Sequence, residues 1–200
     1  MLNLDIRGRT VFRAILLLPW LLPEVVVANI FKWILHPSNG ILNAWLRRLG
    51  VIHEPTSWLG SPTYALITVA LVCVWKGYSL VMLMVLAGLQ TVPHELREAA
   101  VVDGASPRAV FWHVTVPALR ATLIVALVLN TLWWFKHVTI IWLMTQGGPG
   151  TSTTTIAVSI YRQAFENFEF GPASALAVIV FLICLGINFA YKRGLADESV

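Results

Sequence analysis

The chain has 200 residues, of which 58% are hydrophobic and only 12% are charged, and its mean hydropathy is +0.75. A water-soluble domain of this length does not need so much apolar surface, so the composition excludes an ordinary soluble protein. The net charge is +4, but the basic residues are spread over the ends of apolar segments and are not interleaved with exposed aromatic residues. This distribution argues against nucleic-acid binding.

Four apolar segments are long enough to cross a bilayer, which requires roughly 20 helical residues. They run from about Ala14 to Leu35, Tyr64 to Leu89, Ala121 to Met144, and Ala173 to Tyr191. Because lipid offers backbone polar groups no other partner, all four are predicted to be helices, which gives an all-α integral membrane bundle of about four transmembrane helices. We predict that the first is bent near Pro19 and Pro23.

Two polar segments are predicted to lie together on one side of the membrane. The first, from His36 to Pro62, is rich in turn formers around a helix-compatible piece from Ile41 to Leu49. The second begins with the turn from Gln146 to Thr153, and a short helical pattern follows it. Residues spaced for one face of that short helix are Ile156, Ile160, Ala164 and Phe165.

The segment between the second and third apolar runs, about residues 91–120, has the pattern of a helix–turn–helix. Asp103 and Gly104 end a first short helix at a point that favours a residue with positive φ. Ser106 and Pro107 then supply an N-cap and a first-turn residue for a second helix. The pattern is typical of a docking element rather than a catalytic one.

Basic residues predict the orientation of the chain. They precede the first span, lie between the second and third, and follow the fourth, at Arg7, Arg9, Arg13, Arg97, Arg108, Arg120, Lys192 and Arg193. The other two loops carry only Arg47, Arg48 and Arg162, which are offset by glutamates. The positive-inside rule therefore predicts that residues 91–120 and both termini of this chain are cytoplasmic.

The helix–turn–helix resembles the coupling motif of the permease subunits of binding-protein-dependent ABC importers. The matching residues are Glu98, Ala99, Ala100, Asp103, Gly104 and Ala105. The distal part departs slightly, since Val116-Pro117 stands for a Leu-Pro pair and Ala121 for a frequent second proline. The resemblance implies a MetI-like permease core in a bacterial or archaeal inner membrane. It also implies that these residues, with Pro117, seat a coupling helix in a groove of a cytoplasmic ABC ATPase.

A second resemblance, to the carbohydrate branch of these permeases, covers nearly the whole chain. It rests on segments such as Trp75-Lys76-Gly77, Leu132-Trp133-Trp134-Phe135 and the Gly-Gly-Pro turn at 147–149. It implies a sugar or sugar-like substrate, an extracytoplasmic sugar-binding protein and a second permease subunit that is a different chain. Members of the family usually have about six spans, so the first two membrane spans are expected to be missing here.

Ionisable residues at membrane depth usually face a cavity or a partner. Glu24 and Lys76 are both predicted near the bilayer midplane, where an ion pair between them is geometrically possible, and Lys136 lies somewhat outward. Each of these residues either lines a translocation path or only pairs within the helix bundle. The sequence leaves both alternatives open.

Recognition of a sugar requires hydrogen-bonding groups and aromatic faces. Spacings of four and three place Asn130, Trp134 and His137 on one stripe of the third span. The family resemblance adds Gly77, on the helix before the coupling motif, so the candidate path is Lys76, Gly77, Asn130, Trp134 and His137. The alternative is that the tryptophan faces lipid or packs between helices.

Catalytic and cofactor motifs are not found in the sequence. There is no phosphate-binding loop, so ATP hydrolysis is predicted to belong to a separate subunit, and no cofactor or metal is expected. An intramembrane enzyme would need a nucleophile and base, or paired metal ligands, at similar depth. That class and a scaffold without transport remain the alternatives to a transport permease.

Overall fold

The computed structural model describes residues 9–196, in which all regular secondary structure is helical. The helices are α1 (Arg9–Leu21), α2 (Glu24–Ile34), α3 (Ile41–Arg48), α4 (Pro62–Thr91), α5 (His94–Val102), α6 (Pro107–Val110), α7 (Val116–Ala118), α8 (Arg120–Phe135), α9 (Thr139–Thr145), α10 (Ile156–Phe165) and α11 (Phe170–Ala196). Arg7 lies outside the described residues, as do the side chains of Arg9, Arg13, Lys192 and Arg193.

The described residues divide into two compact units. One contains residues 9–18, 77–132 and 185–196, and the other contains residues 19–76 and 133–184. We refer to them as the elbow unit, because it contains α5 to α7, and the core unit, because it contains the larger buried apolar cluster.

By length and composition, α4 and the Phe170–Tyr191 part of α11 are able to cross a membrane as single helices. Two bent pairs also qualify if each pair is counted as one span, namely Ala14–Leu21 with Glu24–Ile34 and Pro107–Ala118 with Arg120–Phe135. The bends are 105° and 64°. The helical membrane fold is therefore confirmed, but only two of the four predicted segments are long unbroken helices.

The first predicted span is broken more sharply than a bent helix. The chain leaves α1 at Leu21 and enters α2 at Glu24, with Pro23 at the N-cap of α2. Proline disfavours helical backbone in the residue before it and cannot donate a hydrogen bond, so Leu22 cannot continue α1. Pro19, by contrast, is accommodated inside α1. The predicted position of the bend is confirmed, and Pro23 explains it.

The prediction of one continuous helix from Ala121 to Met144 is wrong in its second half. α8 ends at Phe135, and α9 starts only at Thr139. Neither proline nor glycine causes this break. Instead the Nε2 atom of His137 lies 3.4 Å from the amide nitrogen of Ile140 and accepts its hydrogen, which caps the first turn of α9.

The core unit is built around α2 and α9, which pack against each other. Its buried apolar cluster includes Val27, Ala28, Ile140 and Val158. α10 follows the second polar turn as predicted, but its predicted apolar face is only partly correct. Ala164 is buried, whereas Ile156 and Phe165 are exposed, and Ala157 and Val158 take the core positions instead.

Close helix contacts in the elbow unit depend on a glycine and a buried hydroxyl. A Cβ atom on Gly88 of α4 would lie 2.9–3.0 Å from side-chain atoms of Thr122 and Leu119. The fully buried Ser79 of α4 donates a hydrogen bond of 2.8 Å to the Leu16 carbonyl of α1. Small residues therefore set how closely α4 approaches its neighbours.

Candidate functional site

The elbow, residues 94–118, contains α5, α6 and α7 and begins with a fully formed helix stop. At the end of α5, the Gly104 amide donates to the Val101 carbonyl (3.0 Å) and the Ala105 amide donates to the Ala100 carbonyl (2.9 Å). These two bonds define a Schellman motif, in which the residue after the helix adopts left-handed backbone. Gly104 does so with φ +78°, as its position in the sequence predicts.

The second half of the elbow starts with a side-chain cap. The Ser106 Oγ atom accepts a hydrogen bond of 3.3 Å from the Ala109 amide, and Pro107 occupies the first helical position. After α6 the helix widens into a π-helical turn over Phe111–Thr115 and closes again at α7. Such turns are uncommon, and they accompany functional sites more often than chance predicts.

The solvent side of the elbow is more apolar than the sequence motif alone suggests. Val102 is 85% exposed and Val101 is 62% exposed, although both are large apolar residues at the tip. They line an open groove of about 810 Å³ together with His94, Arg97, Glu98, Ala105, Pro107 and Val110. Two adjacent valines at the end of a short polar helix are the sequence signal that indicates this exposed apolar tip.

The motif residues are distributed over both sides of the elbow. Exposed members are Glu98, Ala99, Asp103, Gly104 and Pro117, and partly buried members are Ala100 and Ala105. Pro117 lies in α7, immediately before the 64° bend into α8. Glu98 and Ala105 line the groove together with Val101 and Val102, so a molecule bound there would contact members of the motif.

A second polar cluster lies in the core unit, at the break between α1 and α2. The Lys76 Nζ atom donates hydrogen bonds to the carbonyls of Pro19 (2.7 Å), Leu22 (2.7 Å) and Trp20 (3.2 Å). A broken helix leaves its last carbonyls without intrahelical partners, and lipid cannot supply donors. Lys76 therefore replaces the backbone donors that the break removes.

Glu24 is directed at a histidine rather than at Lys76. A Glu24 carboxylate oxygen lies 3.9 Å from the His137 Nε2 atom, and the His137 side chain is almost fully buried. Because the same Nε2 atom accepts the Ile140 amide hydrogen, this contact is a close approach and not a hydrogen bond. Lys76 and Glu24 therefore contact different partners, since the ammonium donates to three backbone carbonyls and the carboxylate approaches the His137 ring. The result is that side chains hold both helix breaks of the core unit.

The predicted stripe on the third span is not a helical stripe in the structure. His137 lies beyond the end of α8, so its spacing from Trp134 no longer defines a helix face. The two side chains still meet, with ring centroids 4.6 Å apart. Trp134 also packs against the buried apolar cluster of the core unit, which favours the packing alternative for this residue. Its neighbour Trp133 is exposed and lies beneath the Lys136 ammonium, 5.9 Å from the ring centroid.

The five candidate path residues fall into both units. Lys76, Trp134 and His137 belong to the core unit, where the latter two are in ring contact. Gly77 on α4 and Asn130 on α8 belong to the elbow unit, and both are partly buried. Glu24 and His137 are far apart in the sequence, so no local pattern indicates that they approach each other.

A buried asparagine that was not among the predicted site residues organises the segment around α3. The Asn43 side chain donates to the carbonyls of Pro37 and Thr56, both at 2.9 Å, and accepts from the Trp58 indole at 2.9 Å and the Thr56 amide at 3.3 Å. One side chain therefore fixes both ends of the polar segment. In the sequence, Asn43 is one polar residue among others in this segment, and only the structure shows that its side chain points inward.

The sequence was compared with known families and proteins. The profile of the family described as "Binding-protein-dependent transport system inner membrane component" matches residues 2–193. The sulfoquinovosyl glycerol transport system permease protein SmoG of Agrobacterium fabrum is 40% identical over 96% of this chain and 61% of its own length. The trehalose/maltose transport system permease protein MalF of Thermococcus litoralis is 37% identical over 96% of this chain and 64% of its own length. The chain thus spans less than two thirds of these relatives.

Solved structures share the fold. A bacterial ABC transporter involved in the import of the acidic polysaccharide alginate contains a chain with a TM-score of 0.81 and 26% identity, covering 96% of this chain and 69% of that one. A second structure of a bacterial alginate ABC transporter gives a TM-score of 0.82 at 24% identity, covering 96% of this chain and 67% of that one.

Proposed function

The chain belongs to the family of binding-protein-dependent transport system inner membrane components, and on that premise we propose that it is a permease subunit of an ATP-driven importer. The observation that carries the proposal is the family match over residues 2–193 together with a fully formed elbow inside it. In this proposal the chain conducts the solute and couples its passage to ATP, while a separate subunit hydrolyses ATP.

The elbow is the proposed contact with a cytoplasmic ABC ATPase. Val101 and Val102 supply apolar area, and the carboxylates of Glu98 and Asp103 flank it. The Schellman motif and the Ser106 cap saturate backbone groups at the turn, so the elbow is able to transmit a displacement without unwinding. ATP-driven closure of the ATPases then moves the helices that continue from the elbow, which gives alternating access.

Gentle-detergent purification from native membranes tests this contact. Glu98→Ala and Gly104→Pro are both expected to reduce the amount of ATPase that co-purifies with the chain. For Gly104→Pro the reason is that proline cannot adopt φ +78°. Gly50→Pro is the matched control, because Gly50 also ends a helix with positive φ (+70°) and the same pair of hydrogen bonds. Retention of the ATPase by both elbow variants would refute the coupling role.

We propose that the elbow is on the cytoplasmic side of the membrane. Basic residues around the elbow, the positive-inside rule and the alternation of spans support cytoplasmic termini, with α3 and α10 on the outer side. A membrane-impermeant thiol reagent tests this orientation in intact cells. The cells express a variant of the chain in which both native cysteines are replaced. Ala44→Cys and Thr151→Cys, both at exposed positions, are expected to react, and Asp103→Cys is not. The reverse pattern would invert the topology.

The proposed substrate is a sugar or a sugar-like solute, delivered by a solute-binding protein and passed between this chain and a second permease. The named relatives serve sulfoquinovosyl glycerol and trehalose/maltose, and the family name specifies dependence on a binding protein. Lys76, Gly77, Asn130, Trp134 and His137 are proposed to line or support the path. The roles differ, because Lys76 is occupied by backbone carbonyls whereas His137 and Trp134 form an aromatic pair.

A transport assay separates these roles. The assembly is reconstituted with its binding protein and tested against a panel of disaccharides and glycosyl glycerols. Asn130→Leu is expected to raise the KM for the transported sugar while leaving thermal stability unchanged, because the partly buried Asn130 amide is proposed to bind substrate. An unchanged KM would remove Asn130 from the path.

A further inference from the structure

The short helix α3 presents three differently composed sides. At about 100° per residue, Ile41, Trp45 and Leu49 fall within about 80° of one another. All three are exposed. We call these residues the apolar stripe of α3. A second, adjacent side carries Leu42, Asn43 and Leu46, which are buried or partly buried. The remaining side carries Ala44, Arg47 and Arg48, all exposed.

The apolar stripe is held outward by the fold. Asn43, on the inward side, makes four hydrogen bonds to Pro37, Thr56 and Trp58 at 2.9–3.3 Å, and Leu42 packs against the core cluster. A rotation of α3 that buried Trp45 would break this network. The exposure of the stripe is therefore a fixed property of the core unit and requires a partner.

The stripe lies beside a helix, α2, that also exposes apolar residues. On α2, Val26, Ile30 and Trp33 follow helical spacing and are exposed, and Trp33 is 83% exposed. A groove of about 430 Å³ joins the end of α2 to the start of α3, with Trp33, Ile34, His36, Asn39 and Ile41 as its lining. Because α2 belongs to a candidate membrane span, α3 begins a few residues after the end of that span and next to its exposed apolar residues.

We propose that α3 is an interfacial helix that lies on the membrane surface, with its apolar stripe in the acyl-chain boundary and Arg47 and Arg48 against lipid phosphates. An apolar stripe that contains a tryptophan, with arginine on the adjacent polar side, is typical of helices that lie in the plane of the interface. Acidic phospholipids are the favoured partners, since each exposed basic side chain near the surface attracts anionic headgroups. The inference goes beyond transport and needs only the membrane location of the family.

Site-directed spin labelling tests the proposal on the full chain in its purified assembly. Cys73 and Cys184 are replaced by alanine, a nitroxide is attached through Trp45→Cys or Ala44→Cys, and the assembly is placed in nanodiscs of phosphatidylethanolamine and phosphatidylglycerol. The Trp45→Cys label is expected to collide more with oxygen, which partitions into lipid, than with a water-soluble nickel complex. The Ala44→Cys label, one residue away, is expected to show the opposite preference.

Two results would overturn the proposal. A nickel preference at Trp45→Cys would mean that the stripe stands in water, and protection from both reagents would mean that a protein covers it. Leu49→Cys repeats the measurement on the same stripe if Trp45→Cys lowers the yield of folded protein. Arg47→Gln with Arg48→Gln is expected to reduce the phosphatidylglycerol that co-purifies with the assembly, and an unchanged lipid content would remove the acidic-lipid preference.

Discussion

Replacing Lys76 by methionine removes the donor group at the break between α1 and α2 while keeping an unbranched apolar side chain. Two carbonyls, those of Pro19 and Leu22, lose hydrogen bonds of 2.7 Å, and Trp20 loses a longer one of 3.2 Å. A buried acceptor left without a donor costs about 1–3 kcal/mol. Counting only the two short bonds at the lower value, we expect a loss of about 2 kcal/mol.

Thermal unfolding in detergent measures this loss. A dye that fluoresces on reaction with thiols reports the exposure of Cys73 and Cys184, both partly buried in the folded chain. At about 2–4 °C per kcal/mol for chains of this size, we expect the midpoint for Lys76→Met to fall by about 4–8 °C. Lys76→Arg is expected to lose less, because the guanidinium retains several donors.

The control is Lys32→Met, the same chemical change at an exposed lysine of α2 in the same unit. Its midpoint is expected to stay close to that of the wild type. A Lys76→Met variant as stable as Lys32→Met would mean that water or rearranged backbone satisfies the carbonyls. The assignment of Lys76 as the donor at the break would then be wrong.

Three further changes test the elbow, the helix contacts and the α3 segment. Gly104→Val and Gly50→Val impose similar left-handed backbone strain, about 1–2 kcal/mol or more, but only Gly104→Val is expected to lower ATP-driven uptake by the reconstituted assembly. Gly88→Leu is expected to lower the unfolding midpoint through overpacking of about 1–3 kcal/mol, whereas Gly186→Leu, where a Cβ atom meets open space, is expected to change it little. Asn43→Leu is expected to destabilise the segment around α3 by about 3 kcal/mol or more, which is measured as faster proteolysis within residues 36–61. A cleavage rate equal to that of the wild type would contradict the role of Asn43 in holding this segment.

Local chemistry explains why the elbow could be predicted from the sequence. Gly104 ends α5 with positive φ, and Ser106 and Pro107 begin α6, so each signal acts within a few residues of the feature that it specifies. The same is true of the break at Pro23, which follows from backbone sterics alone. Such features do not depend on what the rest of the chain does.

The polar cluster could not be predicted because its contacts are distant in sequence. Lys76 is 57 residues from Pro19, and the choice between a carboxylate and three carbonyls as its partner depends on the exact path of the chain between them. The end of α8 is similar, since a histidine ring rather than a proline begins α9. The apolar residues continue through positions 121–144, so their pattern does not predict the capping contact that ends the helix.

Photocrosslinking from the tip of the elbow is the most direct test of the central claim that this chain couples to an ATPase. A photoreactive amino acid replaces Val102, which is 85% exposed, and in a second variant Trp33, which is 83% exposed in the core unit. We predict a covalent adduct between the Val102 position and an ABC ATPase in native membranes, and none from the Trp33 position. An ATPase adduct from Trp33 only, or from neither position in a folded and assembled chain, would contradict the account.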